Sequence, residues 1–212
     1  MSYYFHKTPK WIQIVYPELT WRTNSNSKEI YLTFDDGPIP EVTPFVLDQL
    51  SRYEAKASFF CVGENIEKNP KEFNQVIEQG HTVGNHTFNH VIGWGTDDEH
   101  YSENIEKCQF EIEKHTGKRN KKLFRPPHGR IKRSQIKRMK QEYEIIMWTY
   151  LTGDFDSKLN SEICLSKAKE RIGKGDLVIF HDSLKAYKNL EYTLPRFLKH
   201  FSERGFQFKS VE

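Results

Sequence analysis

The sequence predicts an α/β fold in which about seven strand–helix units form a small or incomplete (β/α) barrel. Apolar runs with strand character alternate along the 212 residues with helical patterns of about 10 to 15 residues, an order typical of a parallel sheet. The number of units falls short of a full eightfold barrel. The alternative, an open doubly wound sheet, is disfavoured because no glycine-rich phosphate turn follows the first strand.

The composition fits one domain with a sizeable core, since 36% of the residues are hydrophobic. The 32 basic and 29 acidic residues are interspersed, and the run Lys118 to Lys122 is predicted to be a solvated loop, so no nucleic-acid partner is expected. Three widely spaced cysteines predict buried thiols rather than a disulfide framework.

The N-terminal region shows no targeting signal. Met1 to Arg22 lacks a signal-peptide pattern, and no stretch approaches the ~20 apolar residues that span a bilayer. The compartment stays open: the sequence as written predicts a cytoplasmic protein, unless the chain is trimmed or exported by another route. A monomer is expected. Trp11 to Tyr16 alternates like a strand, so residues 1–27 are predicted to form an N-terminal strand or hairpin packed on a barrel domain of residues 28–212.

The first core strand is predicted at Glu29 to Phe34, and Thr43 with Pro44 is expected to begin the first barrel helix, with threonine at the N-cap. Later strands are predicted at residues 56–62, 81–83, 123–124, 144–151, 176–180 and 206–209. Helices are expected between these strands, and they carry in order Phe73, Ile105, Ile136, Ala168 and Phe201.

Polar side chains recur where the predicted strands end. In a parallel barrel these positions meet at one mouth, where active sites lie. The sequence therefore predicts a single active site built from Asp35, Asp36, His86, His90, Arg125, Asp154, His181 and Asp182.

Two pairs within this set indicate metal-assisted chemistry. Neighbouring side chains on an extended backbone point in different directions, so one of Asp35 and Asp36 is expected to hold a metal and the other to move a proton. The alternative is two solvated aspartates in an Asp-Gly turn. His86 and His90 are spaced to share one face of a helical turn and bind one ion, although nine histidines produce such pairs by chance. With Asp36 they form a set that leaves positions open for water.

Three further residues are candidates with competing interpretations. Arg125 precedes two prolines whose fixed backbone can aim it into the mouth, or it is a surface arginine on a rigid loop. His181 follows an apolar run and is a candidate acid, or else a satisfied histidine at a strand end. Trp94, between two glycines and four residues past His90, is a candidate ligand-contacting residue near the metal, with core filling as the alternative.

Five segments occur in one order along the chain: Thr33 to Pro38, His86 with His90, Arg125 to Gly129, the region of Asp154, and Leu177 to Asp182. They resemble the five motifs of the polysaccharide deacetylases, carbohydrate esterase family 4, also called the NodB-homology domain. The resemblance covers roughly residues 28–208. It implies a deformed, seven-stranded (β/α) barrel and a metal-dependent hydrolase that removes N-acetyl groups from N-acetylglucosamine-type residues of a chitin-like, peptidoglycan or related glycan.

The resemblance also implies a role for each matching residue: metal ligation for Asp36, His86 and His90, general base for Asp35, orientation of the base for Arg125, general acid for His181, and tuning of the acid for Asp154. The metal in this family is usually zinc, sometimes cobalt or another divalent ion. Elementary electrostatics agrees with this division, because Arg125 would keep Asp35 ionised and Asp154 would favour the imidazolium form of His181.

Two positions depart from the family pattern. His128 stands where the third motif usually carries an aromatic residue, beside a backbone amide that helps to hold the oxyanion and that survives the change. Phe155 stands where the fourth motif usually has tryptophan, and an earlier aspartate of that motif is missing. Both are expected to contact the sugar together with Trp94, so substrate choice depends on them. The alternatives to a deacetylase are a glycan-binding pseudo-enzyme, disfavoured by the intact acid, base and metal set, and a hydrolase of a small non-sugar amide.

Overall fold

The computed structural model describes residues 4–117 and 122–211, which are organised around one parallel sheet. The strands lie in the order β5-β4-β3-β2-β1-β7-β6, and β8 pairs with the first half of β1. They are β1 (Glu29–Asp35), β2 (Ser58–Cys61), β3 (Thr82–Asn85), β4 (Lys122–Phe124), β5 (Tyr143–Ile145), β6 (Tyr150–Leu151), β7 (Leu177–His181) and β8 (Gln207–Lys209). The helices are α1 (Lys10–Val15), α2 (Thr43–Ser51), α3 (Gly63–Lys68), α4 (Pro70–Glu78), α5 (Asp98–Thr116), α6 (Arg133–Met139), α7 (Ser161–Arg171) and α8 (Tyr187–Ser202).

The two ends of the strand order are joined by a short crossing of residues 146–149. The Ile146 N–H donates to the Phe124 carbonyl on one side at 2.8 Å, and the Thr149 N–H donates to the Leu177 carbonyl on the other at 3.1 Å. The sheet is therefore curled until its edges approach each other. This architecture confirms the deformed, seven-stranded (β/α) barrel, with β8 added beside β1, and it disagrees with an open doubly wound sheet.

Successive side chains of β1 point alternately to the hydrophobic core and to the barrel interior. Phe34 is fully buried among the helices and stacks between Phe59 and Phe180 of the two neighbouring strands, at ring distances of 5.1 and 5.9 Å. Burial of one such ring contributes about 1.5–3 kcal/mol. Thr33 and Asp35 point to the opposite side of the strand, into the barrel, where the polar side chains of the site lie.

The predicted strand at Trp11–Tyr16 is wrong, because this segment is the short helix α1. Its β-branched and aromatic composition favours a strand, and a helix of six residues is too short for its periodicity to correct that inference. Trp11, Ile14 and Val15 lie three and four positions apart and are all exposed.

Two other details differ from the prediction. The strand expected over residues 144–151 is two separate strands, β5 and β6. The sequence did not reveal the break, because the crossing between the two strands is as apolar as the strands themselves. Thr43 is not the N-cap of α2, which is Val42. The Thr43 hydroxyl instead accepts from the Ile39 N–H at 2.8 Å and donates to Asp182 at 2.7 Å. Helix α3, between β2 and α4, was not predicted.

The N-terminal segment covers the seam between β5 and β6, which comprises residues 145–151, without forming a hairpin. His6 and Thr8 make backbone hydrogen bonds of 2.7 and 2.9 Å to residues 149–151 on one side of the seam. Thr20 makes backbone hydrogen bonds of 2.9 and 2.8 Å to residues 145–147 on the other side. The pairing consists of isolated bridges rather than a continuous ladder.

Three remaining sequence predictions concern the surface and the thiols. Cys61, Cys108 and Cys164 are buried and unpaired, as predicted. The predicted solvated loop from residue 118 lies outside the described residues, except for Lys122 at the start of β4. Within residues 4–117 and 122–211, none of the helices has the length and hydropathy of a membrane-crossing segment.

Candidate active site

Asp35, the last residue of β1, is fixed by a buried arginine. Arg125 follows β4, is completely buried, and donates from Nη1 to Asp35 Oδ1 and to Thr33 Oγ1, both at 2.7 Å. Its Nε and Nη2 donate to the carbonyls of Ile146 and Met147 at 3.1 and 3.0 Å. Arg125 thus spans the barrel interior from β1 to the crossing of residues 146–149, and the alternative of a surface arginine is wrong.

Asp36, His86 and His90 each present one ligand atom, and these atoms lie within 4.8 Å of one another. Asp36 Oδ1 is 3.3 Å from His90 Nε2 and 3.8 Å from His86 Nε2. Ligand atoms about 2.1 Å from a tetrahedral zinc ion are about 3.4 Å apart, so this donor set fits the ion. His86 Nδ1 is hydrogen-bonded to the Arg125 carbonyl at 2.8 Å, which fixes the ring and directs Nε2 to the other donors.

The two histidines converge on an irregular turn and not on the helical turn that their spacing suggested. Thr87 and His90 have positive φ angles of 65° and 58°. The turn is held by Thr87, whose N–H donates to Asn85 Oδ1 at 2.9 Å and whose hydroxyl accepts from the Val91 N–H at 3.1 Å. The two imidazoles that the spacing pairs do meet in the fold, but through this irregular turn and not through one face of a helix.

Backbone strain is concentrated at this site. Of the five non-glycine residues with positive φ in the described chain, four lie here: Asp36 at 84°, Thr87, His90, and His128 at 57°. Each such conformation costs on the order of 1–3 kcal/mol and persists only where the surroundings impose it. A cluster of this kind is typical of a functional site.

Protonation at the ligand set suits metal binding. Burial raises the pKa of Asp36, but the hydrogen bond from His90 and the nearby His181 and His86 outweigh burial and hold it well below its usual range. Burial lowers the pKa of His86 to about 4. The carboxylate and the neutral imidazole are the forms that coordinate a cation.

His181 ends β7 and is the register partner of Asp35 on β1. Asp154, which is completely buried, binds it twice: Oδ1 to the ring Nδ1 at 2.8 Å, and Oδ2 as acceptor of the His181 backbone N–H at 2.7 Å. Burial lowers the pKa of His181, but the charge and hydrogen bond of Asp154 outweigh it and raise the pKa to about 9. His181 is therefore an imidazolium at neutral pH, as the role of an acid requires.

The loop that carries Asp154 is held from two directions. Asn189 on α8 donates through Nδ2 to the Asp154 and Asp156 carbonyls at 3.0 and 3.2 Å. Phe155 meets the His181 ring edge-on at 5.0 Å, and Tyr4 of the N-terminal segment packs on Phe155 at 5.1 Å. The residue that replaces the family's tryptophan thus contacts the candidate acid itself.

His128 and Trp94 lie on exposed parts of this region. The His128 ring is 5.0 Å from the His90 ring, which places it beside the ligand set. Trp94 is 63% exposed, and its Nε1–H donates to the Ile131 carbonyl at 3.0 Å, so core filling is wrong. The Arg130 guanidinium lies 5.7 Å from the Trp94 ring. Contact of these side chains with a sugar stays a prediction.

The structure adds contributors that sequence reasoning did not single out. Asn65 on α3 donates through Nδ2 to the Asp36 carbonyl at 2.7 Å, and nothing in its sequence context signals this. Thr33 accepts from Arg125 but is an ordinary strand residue by sequence. Asp182 carried a signal, since it stands next to His181 at a strand end, yet it received no role.

Comparison with known proteins shows which family the chain resembles. A family model described as polysaccharide deacetylase matches residues 22–143. A peptidoglycan-N-acetylglucosamine deacetylase of Bacillus cereus is 33% identical over 195 residues, which is 91% of each chain. The enzyme PgdA of Listeria monocytogenes, with the same activity in its name, is 31% identical over 88% of this chain, which spans 38% of PgdA.

A solved structure shows the same fold. The crystal structure of the peptidoglycan N-acetylglucosamine deacetylase Bc1960 superposes with a TM-score of 0.87 at 27% identity and covers 96% of this chain and 95% of its own. The family match extends over more than half of the 212 residues, and it includes the Asp-Asp, His-His and Arg-Pro-Pro segments described above. The chain belongs to the polysaccharide deacetylase family, carbohydrate esterase family 4, and is an enzyme of that family.

Proposed function

We propose that the chain removes N-acetyl groups from N-acetylglucosamine-type residues of a glycan, with peptidoglycan as the first candidate substrate. The observation that supports this most is the meeting of an Asp-His-His ligand set with an arginine-held carboxylate and a carboxylate-held imidazole at one mouth of the barrel. Relatives named as deacetylases of peptidoglycan N-acetylglucosamine, of peptidoglycan N-acetylmuramic acid and of chitooligosaccharides supply the substrate class.

Asp36, His86 and His90 would hold a divalent cation, for which zinc is the first choice given two imidazoles and one carboxylate. When bound, such an ion makes water more acidic and polarises an acyl carbonyl. The other residues of the site then have to orient groups and move protons.

Asp35 is placed to accept the proton of the attacking water. Arg125 occupies Oδ1, so Oδ2, which lies 4.0 Å from His86 Nε2, faces the ligand set. The water oxygen adds to the acetyl carbon while its proton passes to Asp35 Oδ2. The hydrogen bond from Arg125 holds Asp35 in place for this step.

His181 is placed to complete the hydrolysis. Because Nδ1 is bonded to Asp154, the mobile proton is on Nε2. When the bond between the acetyl carbon and the nitrogen breaks, the leaving amine takes this proton and acetate is released. Register pairing of Asp35 with His181 on neighbouring strands puts the base and the acid at the same edge of the sheet.

The test is acetate release from defined peptidoglycan fragments and chitooligosaccharides, with the protein stripped by chelator and then reloaded with zinc. Release that needs zinc and is lost in Asp35→Asn supports the proposal, and mass spectrometry of the products shows whether glucosamine or muramic acid lost its acetyl group. A zinc-loaded protein that binds fragments without releasing acetate would indicate a glycan-binding protein. Release only from a small non-sugar amide would indicate a different hydrolase.

A further inference from the structure

We propose that Asp182 is a positioning residue that sets the place of Asp36 by clamping the backbone on both sides of it. The inference rests on the proposed function, because it takes Asp36 to be a metal ligand. Asp182 directly follows β7, and only 1% of its surface is exposed.

The clamp consists of hydrogen bonds to the two neighbours of Asp36. The Asp182 N–H donates to the Asp35 carbonyl at 3.0 Å, and Asp182 Oδ1 accepts from the Gly37 N–H at 3.0 Å. The second oxygen, Oδ2, accepts from the Thr43 hydroxyl at 2.7 Å, which ties the clamp to the first turn of α2. Asp182 therefore joins β7, the turn after β1, and α2.

Asp36 needs such support because its φ of 84° lies in the left-handed region. Residues other than glycine pay roughly 1–2 kcal/mol there, so the conformation requires surroundings that impose it. The carbonyl of Asp36 is held by Asn65, and its two neighbours are held by Asp182. A Cβ at position 37 would overlap the Asp182 carboxylate, so glycine is required for this close approach.

The clamp acts through its shape and hydrogen bonds. Burial raises the pKa of Asp182 to about 8, and the charge of Asp36 acts in the same direction. An asparagine has the same shape, keeps an oxygen for the Gly37 N–H, and turns an amide N–H toward the Thr43 hydroxyl oxygen. Asp182→Asn should therefore preserve the clamp, whereas Asp182→Ala removes its side-chain bonds.

Asp176 offers a matched control at the opposite end of the same strand. It directly precedes β7, is 3% exposed, and accepts from the Gly173 N–H through Oδ2 at 2.8 Å. Asp176→Ala removes a buried, backbone-bound carboxylate, as Asp182→Ala does, but at a distance from the ligand set. It separates loss of stability from loss of ligand placement.

The experiment measures the zinc dissociation constant by competition with a chromophoric chelator, and the thermal unfolding midpoint in excess EDTA. Asp182→Ala should raise the dissociation constant by ~10- to 100-fold, the range found when groups that orient a ligand are removed. Asp182→Asn should stay close to the wild type, and Asp176→Ala should bind zinc normally although it unfolds at a lower temperature. Equal zinc affinity for Asp182→Ala and Asp176→Ala would overturn the inference, as would an asparagine variant as weak as the alanine one.

Two further variants complete the test. If Asp182→Ala does not fold, Thr43→Val removes the hydroxyl that donates to Oδ2 and that also accepts from the Ile39 N–H. A zinc affinity unchanged from the wild type would then overturn the inference. Asp36→Ala tests the assignment of Asp36 as a metal ligand, on which the inference rests. Undiminished zinc affinity in Asp36→Ala would contradict the ligand assignment itself, whereas weak binding in Asp36→Ala with normal binding in Asp182→Ala would contradict only the clamp.

Discussion

Asp154 binds His181 with both carboxylate oxygens, one at the ring Nδ1 at 2.8 Å and one at the backbone N–H at 2.7 Å. One buried neighbour therefore fixes both the direction of the ring and its protonation. A substitution that keeps the shape of Asp154 and removes its charge separates the two effects.

Asp154→Asn should move the alkaline limb of the pH profile of kcat/KM to lower pH. The carboxylate raises the pKa of His181 to about 9 from an ordinary value of 6.5, so without it the acid loses its proton earlier as the pH rises. The same shift in pKa makes the stability of the fold depend on pH. The His181–Asp154 pair contributes its full stabilisation below pH 6.5 and loses it as the pH rises through about 9. The measurement is kcat/KM against pH at saturating zinc, and an unmoved alkaline limb would contradict the tuning role.

His181→Ala should lower turnover by ~100- to 10,000-fold and remove the alkaline limb, because no other group would protonate the leaving amine. The acidic limb should remain, because the substitution at His181 leaves Asp35 and its contact with Arg125 in place. The readout is the same pH series with zinc content checked for each sample. A variant that keeps full turnover and both limbs would remove His181 from the mechanism.

Substitutions at the two adjacent aspartates should have different effects on metal content and on rate. Asp36→Ala should lose bound zinc, because one of three donors is gone. Asp35→Asn should retain zinc while turnover falls by ~100- to 10,000-fold, since the amide cannot accept the proton from water. Bound zinc per chain and the initial rate are measured for both. Equal loss of zinc in the two variants would contradict the assignment.

Arg125→Met should destabilise the protein strongly as well as inactivate it. The change leaves Asp35 buried without its partner and removes the donors to Ile146 and Met147. Removal of one member of a buried pair costs ~3–5 kcal/mol in the free energy of unfolding. Urea unfolding of the zinc-free protein measures this change in the free energy of unfolding. Arg138→Met, which breaks a solvent-exposed pair with Glu99, is the control and should change the same quantity by less than about 1 kcal/mol.

Trp94→Ala should raise KM for accepted oligosaccharides while the thermal unfolding midpoint falls only slightly, because the ring is 63% exposed and fills no core. The substitution removes the hydrogen bond to the Ile131 carbonyl. Phe110→Ala, which removes a ring that is 61% exposed on α5, is the control. Steady-state kinetics on a series of increasing chain length gives KM for each protein. An unchanged KM on every accepted glycan would count against sugar contact by Trp94.

The sequence predicted where the site lies because strand ends meet at one edge of a parallel sheet whatever the bounds of each strand. Asp35, Arg125 and His181 were found this way. The geometry between them was not predictable: the guanidinium of Arg125 reaches carbonyls of the crossing at residues 146–149, and that crossing was hidden inside a continuous apolar run.

Local composition also failed where the backbone departs from regular structure. The turn of residues 86–90 depends on positive φ at Thr87 and His90. Threonine does not signal this conformation, and the enrichment of histidine in it is too weak to predict it. Helix α1 was missed because Trp11, Ile12 and Ile14 have the propensities of a strand. Asp182 was seen but not interpreted, since a buried carboxylate that binds backbone groups looks in sequence like any aspartate.

The bridges made by the N-terminal segment have a consequence for the order of folding. Thr8 and Thr20 donate side-chain hydrogen bonds to Trp148 and Glu144, which lie 140 and 124 residues further along the chain. During synthesis on the ribosome the segment emerges long before the seam that it covers exists, and such distant pairings are slow to form. A stretch of chain made before its partners thus docks after them, and until it docks the backbone at β5 and β6 stays open to pairing with other nascent chains.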